Sequence, residues 1–312
     1  MRWLCAVAAA ALVACIGASS ALSSEGLSDR NVRVISFGVN TKGEALITYA
    51  RGKTIRRVLV WGGVNARPPS AIVPQVRFKY DYAGGWGKYR RQYWKTFKNA
   101  CRPYDGPELA YFVQACKAPD GSYWALQSWQ RGLPLLGIDP WKPEQDDWEL
   151  HVSHWTGPLP ELEVHANWTY GGDFEGLFGR LTYLGVPVHG FGSTNVGNPK
   201  DRYGRNVYID VRDSAYGAGW KRESGILVHR PTGTFCHSFV PQKVFPGYPG
   251  AGTTRPAARG ERYRVTVMGP GVTPVVQWEG GGLGRFVKSA DEEINARFDE
   301  LMADDPICRG ER

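Results

Sequence analysis

An internal repeat constrains the fold of this chain more than any other feature of its sequence. Pro119-Asp-Gly-Ser-Tyr123 and Pro231-Thr-Gly-Thr-Phe235 share one pattern: proline, any residue, glycine, hydroxyl, aromatic residue. An apolar run precedes each copy, and an aromatic-rich run follows it. This pattern is typical of a β-hairpin, because proline and glycine supply the backbone angles of the turn.

Six further pairs of short matches recur in the same order around these turns, which indicates a duplicated unit. They are Ile47–Tyr49 with Leu181–Tyr183, Val58–Gly62 with Val186–Gly190, Asn65 and Pro69 with Asn195 and Pro199, Tyr82–Trp86 with Tyr216–Trp220, Trp148–Val152 with Tyr263–Val267, and Gly157-Pro158 with Gly269-Pro270. Short alternating strands at this spacing predict an all-β fold of two tandem, internally duplicated β-sandwich units. The alternative is one large sandwich whose halves are related by pseudo-twofold symmetry.

Two parts of the chain have no counterpart in the repeat, and both are predicted to contain a helix. The insertion in the first unit places Tyr89, Tyr93 and Phe97 on one face of a short helix, with cations opposite. Near the C-terminus, Ser289 caps an amphipathic helix with an acidic first turn. The predicted divisions are a leader over 1–21, a first unit with a disulfide-closed insertion over 22–172, a second unit over 173–285, and the C-terminal helix and tail over 286–312.

The leader is predicted to be a cleaved signal peptide. A positive start is followed by an apolar run from Trp3 to Ala18 and by small residues up to Ala21. The run is shorter than a bilayer span requires, and no later stretch reaches that length, so the mature chain is predicted to have no transmembrane segment. We therefore expect a secreted or cell-envelope protein. The alternative is a lipoprotein acylated at Cys15, because Leu12-Val-Ala-Cys15 resembles a bacterial lipobox.

Four cysteines remain after cleavage of the leader, which in an exported chain predicts two disulfides. Of the three connectivities we expect Cys101–Cys116, which closes a short loop, and Cys236–Cys308, which joins the tail to the body. Closing a loop of about 15 residues is worth roughly 3 kcal/mol in the chain-entropy account. No Cys-x-x-Cys pair or clustered Cys/His spacing is present, so neither a metal nor a cofactor is predicted.

The net charge of +8 hides an uneven distribution. From Leu22 to Lys288 there are 34 Lys and Arg against 22 Asp and Glu, a balance of +12. From Ser289 to Arg312 there are 3 against 8, a balance of −5. A basic body favours contact with anionic polymers. The alternative is charge that only keeps the protein soluble, with the acidic tail lying on a basic face.

The basic–aromatic segment, Arg77–Lys98, interleaves cations with aromatic residues. Aromatic faces stack on sugar rings or bases, and cations bind phosphate or carboxylate groups. The predicted ligand-binding residues are Trp86, Arg90, Arg91, Trp94 and Lys95 in this segment, and Trp220, Lys221 and Arg222 in the second unit. The alternative, which the helical spacing favours, is that the aromatic residues are the buried side of a helix and the cations its solvated side.

A second candidate site lies on two consecutive predicted strands, which we expect to pair as a hairpin. Glu149 and His151 share one face of the first strand, and Glu163 and His165 share one face of the second. If His151 lies opposite His165, two imidazoles and two carboxylates meet within reach of proton transfer. A register slip of one residue would separate them. The alternative is a polar outer face with no chemistry.

These patterns together predict a secreted binding or structural module at the cell envelope or in the extracellular space. Its expected ligand is an anionic or neutral polysaccharide or another envelope polymer, with no specific affinity for nucleic acid. Gly-x-Ser-x-Gly, His-Glu-x-x-His, Walker and dinucleotide-binding motifs are missing, which argues against the corresponding enzyme classes. The alternatives are a secreted carbohydrate-active enzyme, a lyase or hydrolase that uses the His/Glu cluster, and a structural subunit with aromatic interfaces.

Overall fold

The computed structural model is all-β, as the alternating apolar runs predict. It describes residues 25–67, 76–130, 148–188, 191–193, 199–201, 207–214, 217–222, 228–229, 233–243, 254–255 and 259–301. The first strands are β1 (Glu25–Arg30), β2 (Arg33–Val39), β3 (Ala45–Arg51), β4 (Thr54–Gly62), β5 (Phe78–Asp81), β6 (Arg102–Pro103), β7 (Phe112–Lys117), β8 (Tyr123–Gln130) and β9 (Trp148–Trp155). The others are β10 (Glu161–Thr169), β11 (Phe174–Tyr183), β12 (Val186–Pro187), β13 (Phe191–Ser193), β14 (Pro199–Asp201), β15 (Val207–Ser214), β16 (Gly217–Arg222), β17 (Val228–His229), β18 (Thr234–Ser238), β19 (Gln242–Lys243), β20 (Thr254–Arg255), β21 (Arg262–Val267) and β22 (Val276–Gly281).

Four larger sheets pair face to face around two apolar cores, in a β-sandwich-like arrangement. The first core lies between the sheet β1-β9-β8-β7-β6 and the sheet β2-β3-β4-β5. The second lies between β10-β11-β18-β17, to which β12 adds, and β16-β15-β21-β22. Alternation along β4 shows how this arises: Val58 and Val60 enter the first core, whereas Leu59 packs on the opposite face of the sheet.

The two core-bearing halves contact each other through the outer face of β8 and the segment after β21. The Gln127 side chain donates to the Val275 carbonyl and accepts from the Val275 N–H, at 2.9 Å in each case. Tyr111 and Thr266 join their hydroxyls at 2.8 Å, and Val272 is buried in the first core. Polar as well as apolar contacts therefore hold the halves together.

The internal duplication stays a prediction, because matched strands take different partners. The Pro119 turn does join β7 to β8, with Gly121 at φ 88°. However, β3 and β8 lie in opposite sheets of the first core, whereas their counterparts β11 and β18 pair directly. The predicted boundary at 172/173 falls inside the hairpin of β10 and β11, so β10 belongs to the second group of sheets.

A helix is present in each of the two parts of the chain where the sequence predicts one, but the details differ. α1 covers Trp86–Tyr89 and α2 covers Lys288–Leu301. Because α2 begins at Lys288, Ser289 lies inside the helix and is not its cap. The stripe that includes Tyr89 does not continue as one helix, because Arg90 adopts a left-handed φ of 55° and ends α1 after a single turn. A separate 3₁₀ turn follows at Tyr93–Lys95, and another lies at Tyr170–Gly172.

The predicted Cys101–Cys116 disulfide is confirmed, with 5.6 Å between the two Cα atoms. It ties the end of the insertion to β7. Cys308, the predicted partner of Cys236, lies outside the described residues, as does the predicted leader. Across the described ranges, no helix combines the length and the apolar character needed to cross a membrane.

Candidate functional site

Two tyrosines of the basic–aromatic segment, Tyr89 and Tyr93, turn toward one buried carboxylate, Glu44, which directly precedes β3. Glu44 is 3 % exposed and accepts hydrogen bonds from Lys88 Nζ at 2.6 Å and from the Tyr93 hydroxyl at 3.0 Å. Asn40 Nδ2 donates to it at 2.9 Å, and the Tyr89 hydroxyl donates as well. The two tyrosine rings stack with centroids 4.0 Å apart. This network holds the segment against the outer face of its sheet.

The charge of Glu44 is stabilised despite its burial. Burial alone would raise the pKa of this carboxyl, but the hydrogen bonds it accepts, that from Lys88 foremost, outweigh burial and lower the pKa to about 2. Burial, together with the same carboxylate, raises the pKa of the Tyr89 and Tyr93 hydroxyls. The sequence gives a signal for Glu44 that pattern analysis missed: it is the single carboxylate between Asp29 and Asp81.

A second carboxylate fixes the turn that carries Trp86. Asp81, at the end of β5, accepts hydrogen bonds from the backbone N–H groups of Ala83 and Lys88, each at 2.9 Å. α1 then closes when the Arg90 N–H donates to the Trp86 carbonyl at 2.7 Å. The backbone that carries Trp86 and Arg90 is therefore held by hydrogen bonds on both sides.

Cations greatly outnumber carboxylates in this part of the chain. Residues 51–100 contain 12 Lys and Arg and one Asp or Glu, an excess of 11 positive charges. Asp29 and Glu44 hold three of these cations. Within the part of the chain that the structure describes, no carboxylate pairs with Lys53, Arg57, Lys79, Arg90, Arg91, Lys95 or Lys98. Seven of the 12 cations in this stretch therefore have no counter-charge among the described residues.

The two tryptophans predicted to bind ligand are placed differently. Trp86 is 50 % exposed, and no ring or cation among the described residues covers its indole. Trp94 is half-buried, because the Arg57 guanidinium lies 3.9 Å from its ring centre and Lys95 Nζ lies 5.4 Å away. Of the pair, Trp86 is the one that offers a free aromatic face.

The predicted binding residues of the second unit are largely used by the fold. Arg222 is 3 % exposed, and its Nε donates to Asp210 Oδ1 at 2.8 Å. Arg264 donates to the other oxygen of Asp210 at 2.9 Å, and Trp220 lies 4.3 Å from the Arg264 guanidinium. Lys221 is half-buried and donates to the Ala218 carbonyl at 2.9 Å. Arg222 is therefore not a surface residue.

The predicted pairing of the two His/Glu strands is wrong. β9 lies between β1 and β8, and β10 pairs with β11. The connection at 156–160 leads from one sheet into another instead of turning back, so register cannot set His151 opposite His165.

The structure instead holds two separate His–Glu pairs. His151 is fully buried, with Nε2 3.0 Å from Glu149 Oε2, and Glu149 also pairs with Arg30. His165 is partly exposed and lies 2.8 Å from Glu163 Oε1. The four predicted acid/base residues are not brought together on one strand pair.

Pattern analysis also missed a serine–histidine contact at the first repeat turn. Ser122 Oγ lies 2.9 Å from His154 Nε2 and 2.6 Å from Asp120 Oδ1, and His154 Nδ1 lies 2.7 Å from the Gly63 carbonyl. Burial lowers the pKa of the His154 imidazole. These distances suit a nucleophile and its base, but Ser122 is 2 % exposed. The contact therefore ties the turn to β9. The hydroxyl of the repeated pattern was its sequence signal.

Known proteins give no independent guide to the site. No protein family, curated protein or solved structure matches the chain. Among the described residues, no group of three or more His, Cys, Asp or Glu is arranged to hold a metal ion. Function has to be inferred from the placement of the chain's own side chains, of which the exposed Trp86 and the cations of residues 51–100 that no described carboxylate pairs with are the most distinctive.

Proposed function

We propose that this protein is an exported binding module that attaches to an anionic polymer through the exposed side of the basic–aromatic segment. The observation that carries the proposal is that seven cations between residues 51 and 100 pair with no carboxylate among the residues that the structure describes. Clustered like charges repel one another and destabilise a fold, and a polyanion relieves that repulsion. Export rests on the predicted leader over 1–21.

The anchoring of the segment supports the same proposal. Glu44 and Asp81 hold its backbone and its tyrosines from beneath. A surface that is already ordered loses less conformational freedom when it binds, so more of the contact energy appears as affinity. The exposed Arg90, Arg91 and Lys95 are thus presented on a fixed base.

The positions of the four predicted acid/base residues do not support a carbohydrate-active enzyme as a second candidate function. Glu149 and His151 are buried in one sheet, and Glu163 and His165 lie on another. Acid/base catalysis needs both partners within hydrogen-bond reach of one substrate, and no observation on these four residues favours such a site.

The test is binding to dextran sulfate and to uncharged dextran across a salt series, followed by sedimentation or calorimetry. We expect the wild-type protein to bind only dextran sulfate, with log affinity falling linearly with log salt. In the double variant Arg90→Gln/Arg91→Gln the line should be less steep, with the magnitude of its slope reduced by about 2. Lys221→Gln is the matched control, because this lysine lies in the other half, and it should leave the slope unchanged. Absence of binding at low salt would overturn the proposal.

A further inference from the structure

The ligand class can be narrowed from the position of Trp86 beside Arg90 and Arg91. We infer that the polymer is an acidic polysaccharide: one sugar ring stacks on Trp86, and acidic groups on that ring and its neighbours bind the two arginines. This inference rests on the proposed function and adds a requirement for sugar rings to it.

The Trp86 indole makes no ring or cation contact among the described residues, unlike its aromatic neighbours. The other aromatic residues of α1 and the following turn are engaged: Tyr89 and Tyr93 stack above Glu44, and Phe97 meets the Tyr93 ring edge-on at 6.1 Å. Trp86 instead leaves half of its surface open on a backbone turn that hydrogen bonds hold in place. A large, rigidly mounted aromatic face of this kind suits the apolar face of a sugar ring.

The arginines supply the acidic part of the recognition. Arg90 follows α1 directly, and its N–H closes the turn onto the Trp86 carbonyl at 2.7 Å, so both side chains start from one turn. No carboxylate of the described chain pairs with Arg90 or Arg91. A guanidinium presents a planar fork of donors that matches a carboxylate or a sulfate ester. A sugar ring that bears such a group can stack on Trp86 while its acidic group binds the arginines.

The same surface fits a nucleic acid less well. Proteins that bind single strands stack successive bases on several aromatic side chains. Here Trp86 is the one indole of the segment that no described cation covers, because Arg57 and Lys95 lie over Trp94. Tyr89 and Tyr93 face Glu44. The exposed Tyr82 already stacks on Tyr80, with ring centres 5.8 Å apart. A single free indole among these cations favours a charged sugar chain.

The experiment compares polygalacturonate, its methyl ester, inorganic polyphosphate and poly(dT) on the wild-type protein and on Trp86→Ala. Polygalacturonate has a ring and a charge, the ester has the ring alone, and polyphosphate has the charge alone. We expect polygalacturonate to bind most tightly. Trp86→Ala should weaken it about tenfold without changing the salt slope and should leave polyphosphate binding unchanged. Trp148→Ala is the matched control, because this tryptophan is 42 % exposed at the start of β9, and it should change nothing.

The outcomes separate the inference from the proposed function. If no anionic polymer binds, the proposed function fails. If polygalacturonate binds equally well to the wild type and to Trp86→Ala, or no better than polyphosphate, the inference alone fails. Tighter binding of poly(dT) that Trp86→Ala abolishes would also overturn it, in favour of a nucleic acid. If circular dichroism shows that Trp86→Ala is unfolded, Trp86→Leu is used in its place. Leucine keeps much of the apolar volume but has no aromatic ring on which a sugar could stack.

Discussion

The basic–aromatic segment and the Trp220–Arg222 stretch contain the same residue types and use them in opposite ways. In the segment, Tyr89 and Tyr93 point inward, and the cations Lys79, Arg90, Arg91, Lys95 and Lys98 pair with no carboxylate of the described residues. In the second stretch, Arg222 points inward, and the Trp220 ring packs on the guanidinium of Arg264, which binds the same aspartate as Arg222. Similar sequence therefore gives a display surface in one half and an internal ion cluster in the other.

The position of the carboxylates explains this difference. Asp210 lies on β15 directly opposite Arg222 on β16 and Arg264 on β21, so one carboxylate draws both arginines onto the middle strand. Glu44 takes Lys88 alone among the cations of the segment. A cation-rich stretch thus becomes available to a ligand only where the fold provides no carboxylate across the sheet.

Replacing Asp210, the carboxylate of the internal ion cluster, should destabilise the protein more than any other substitution considered. Asp210→Asn should lower the free energy of unfolding by about 3–5 kcal/mol, because it removes the one buried carboxylate that both arginines share. Glu279 remains 3.9 Å from Arg264. Urea denaturation measures the loss.

The control for this prediction is Asp105→Asn. Asp105 is an exposed carboxylate that pairs with Lys117 at 2.9 Å, and pairs of this kind contribute little because water solvates both partners. Its denaturation midpoint should match that of the wild type. If both variants lost the same unfolding free energy, burial would not explain the contribution of Asp210 to stability.

Glu44→Gln tests the network that anchors the segment. It should lower the free energy of unfolding by about 2–3 kcal/mol, because the amide keeps the shape but removes the charge that four donors surround. Lys88→Met removes one of those donors and should cost about 1 kcal/mol. If both variants lose the same amount in urea denaturation, the ion pair with Lys88 and not the whole network anchors the segment.

The contribution of Glu44 should also depend on pH. Its folded pKa of about 2 lies below its ordinary value of 4.5, so in acid the unfolded chain takes up this proton first. The stabilisation is therefore complete above about pH 5 and fades as pH falls toward 2. The difference in unfolding free energy between the wild type and Glu44→Gln, measured from pH 7 to pH 2.5, should shrink over that window. A constant difference would contradict the ionised state of Glu44.

Much of the fold could be predicted because its signals are local. Alternating apolar residues, the Pro119 turn and the spacing of Cys101 and Cys116 each depend on neighbouring residues, and the structure agrees with them. The pairing of β9 with β10 was wrong for a physical reason. A five-residue connection at 156–160 permits either a hairpin or a crossing to another sheet, and only the packing of distant strands decides between them.

The candidate site was predictable only in part, for a related reason. Trp86 and the exposed arginines were candidates from composition alone, because the segment interleaves cations with aromatic residues; the helical spacing gave no sign that Trp86 would be the exposed tryptophan. Arg222 was misplaced because its partner Asp210 depends on the register of β15 with β16, and the second arginine lies 54 residues from that aspartate. Whether a cation is buried or exposed here depends on whether a neighbouring strand places a carboxylate opposite it. That placement depends on strand pairing between distant residues, which cannot be read from a single sequence.

Removing the two exposed arginines should affect stability least. Arg90→Gln/Arg91→Gln should change the free energy of unfolding by no more than about 0.5 kcal/mol, because these side chains are exposed and bind no carboxylate of the described chain. Any shift should be toward greater stability, since the variant reduces repulsion among like charges. The same protein should bind dextran sulfate more weakly. Lost stability together with lost binding would instead mean that Arg90 and Arg91 serve the fold, as Arg222 does, and that the two regions do not differ in kind.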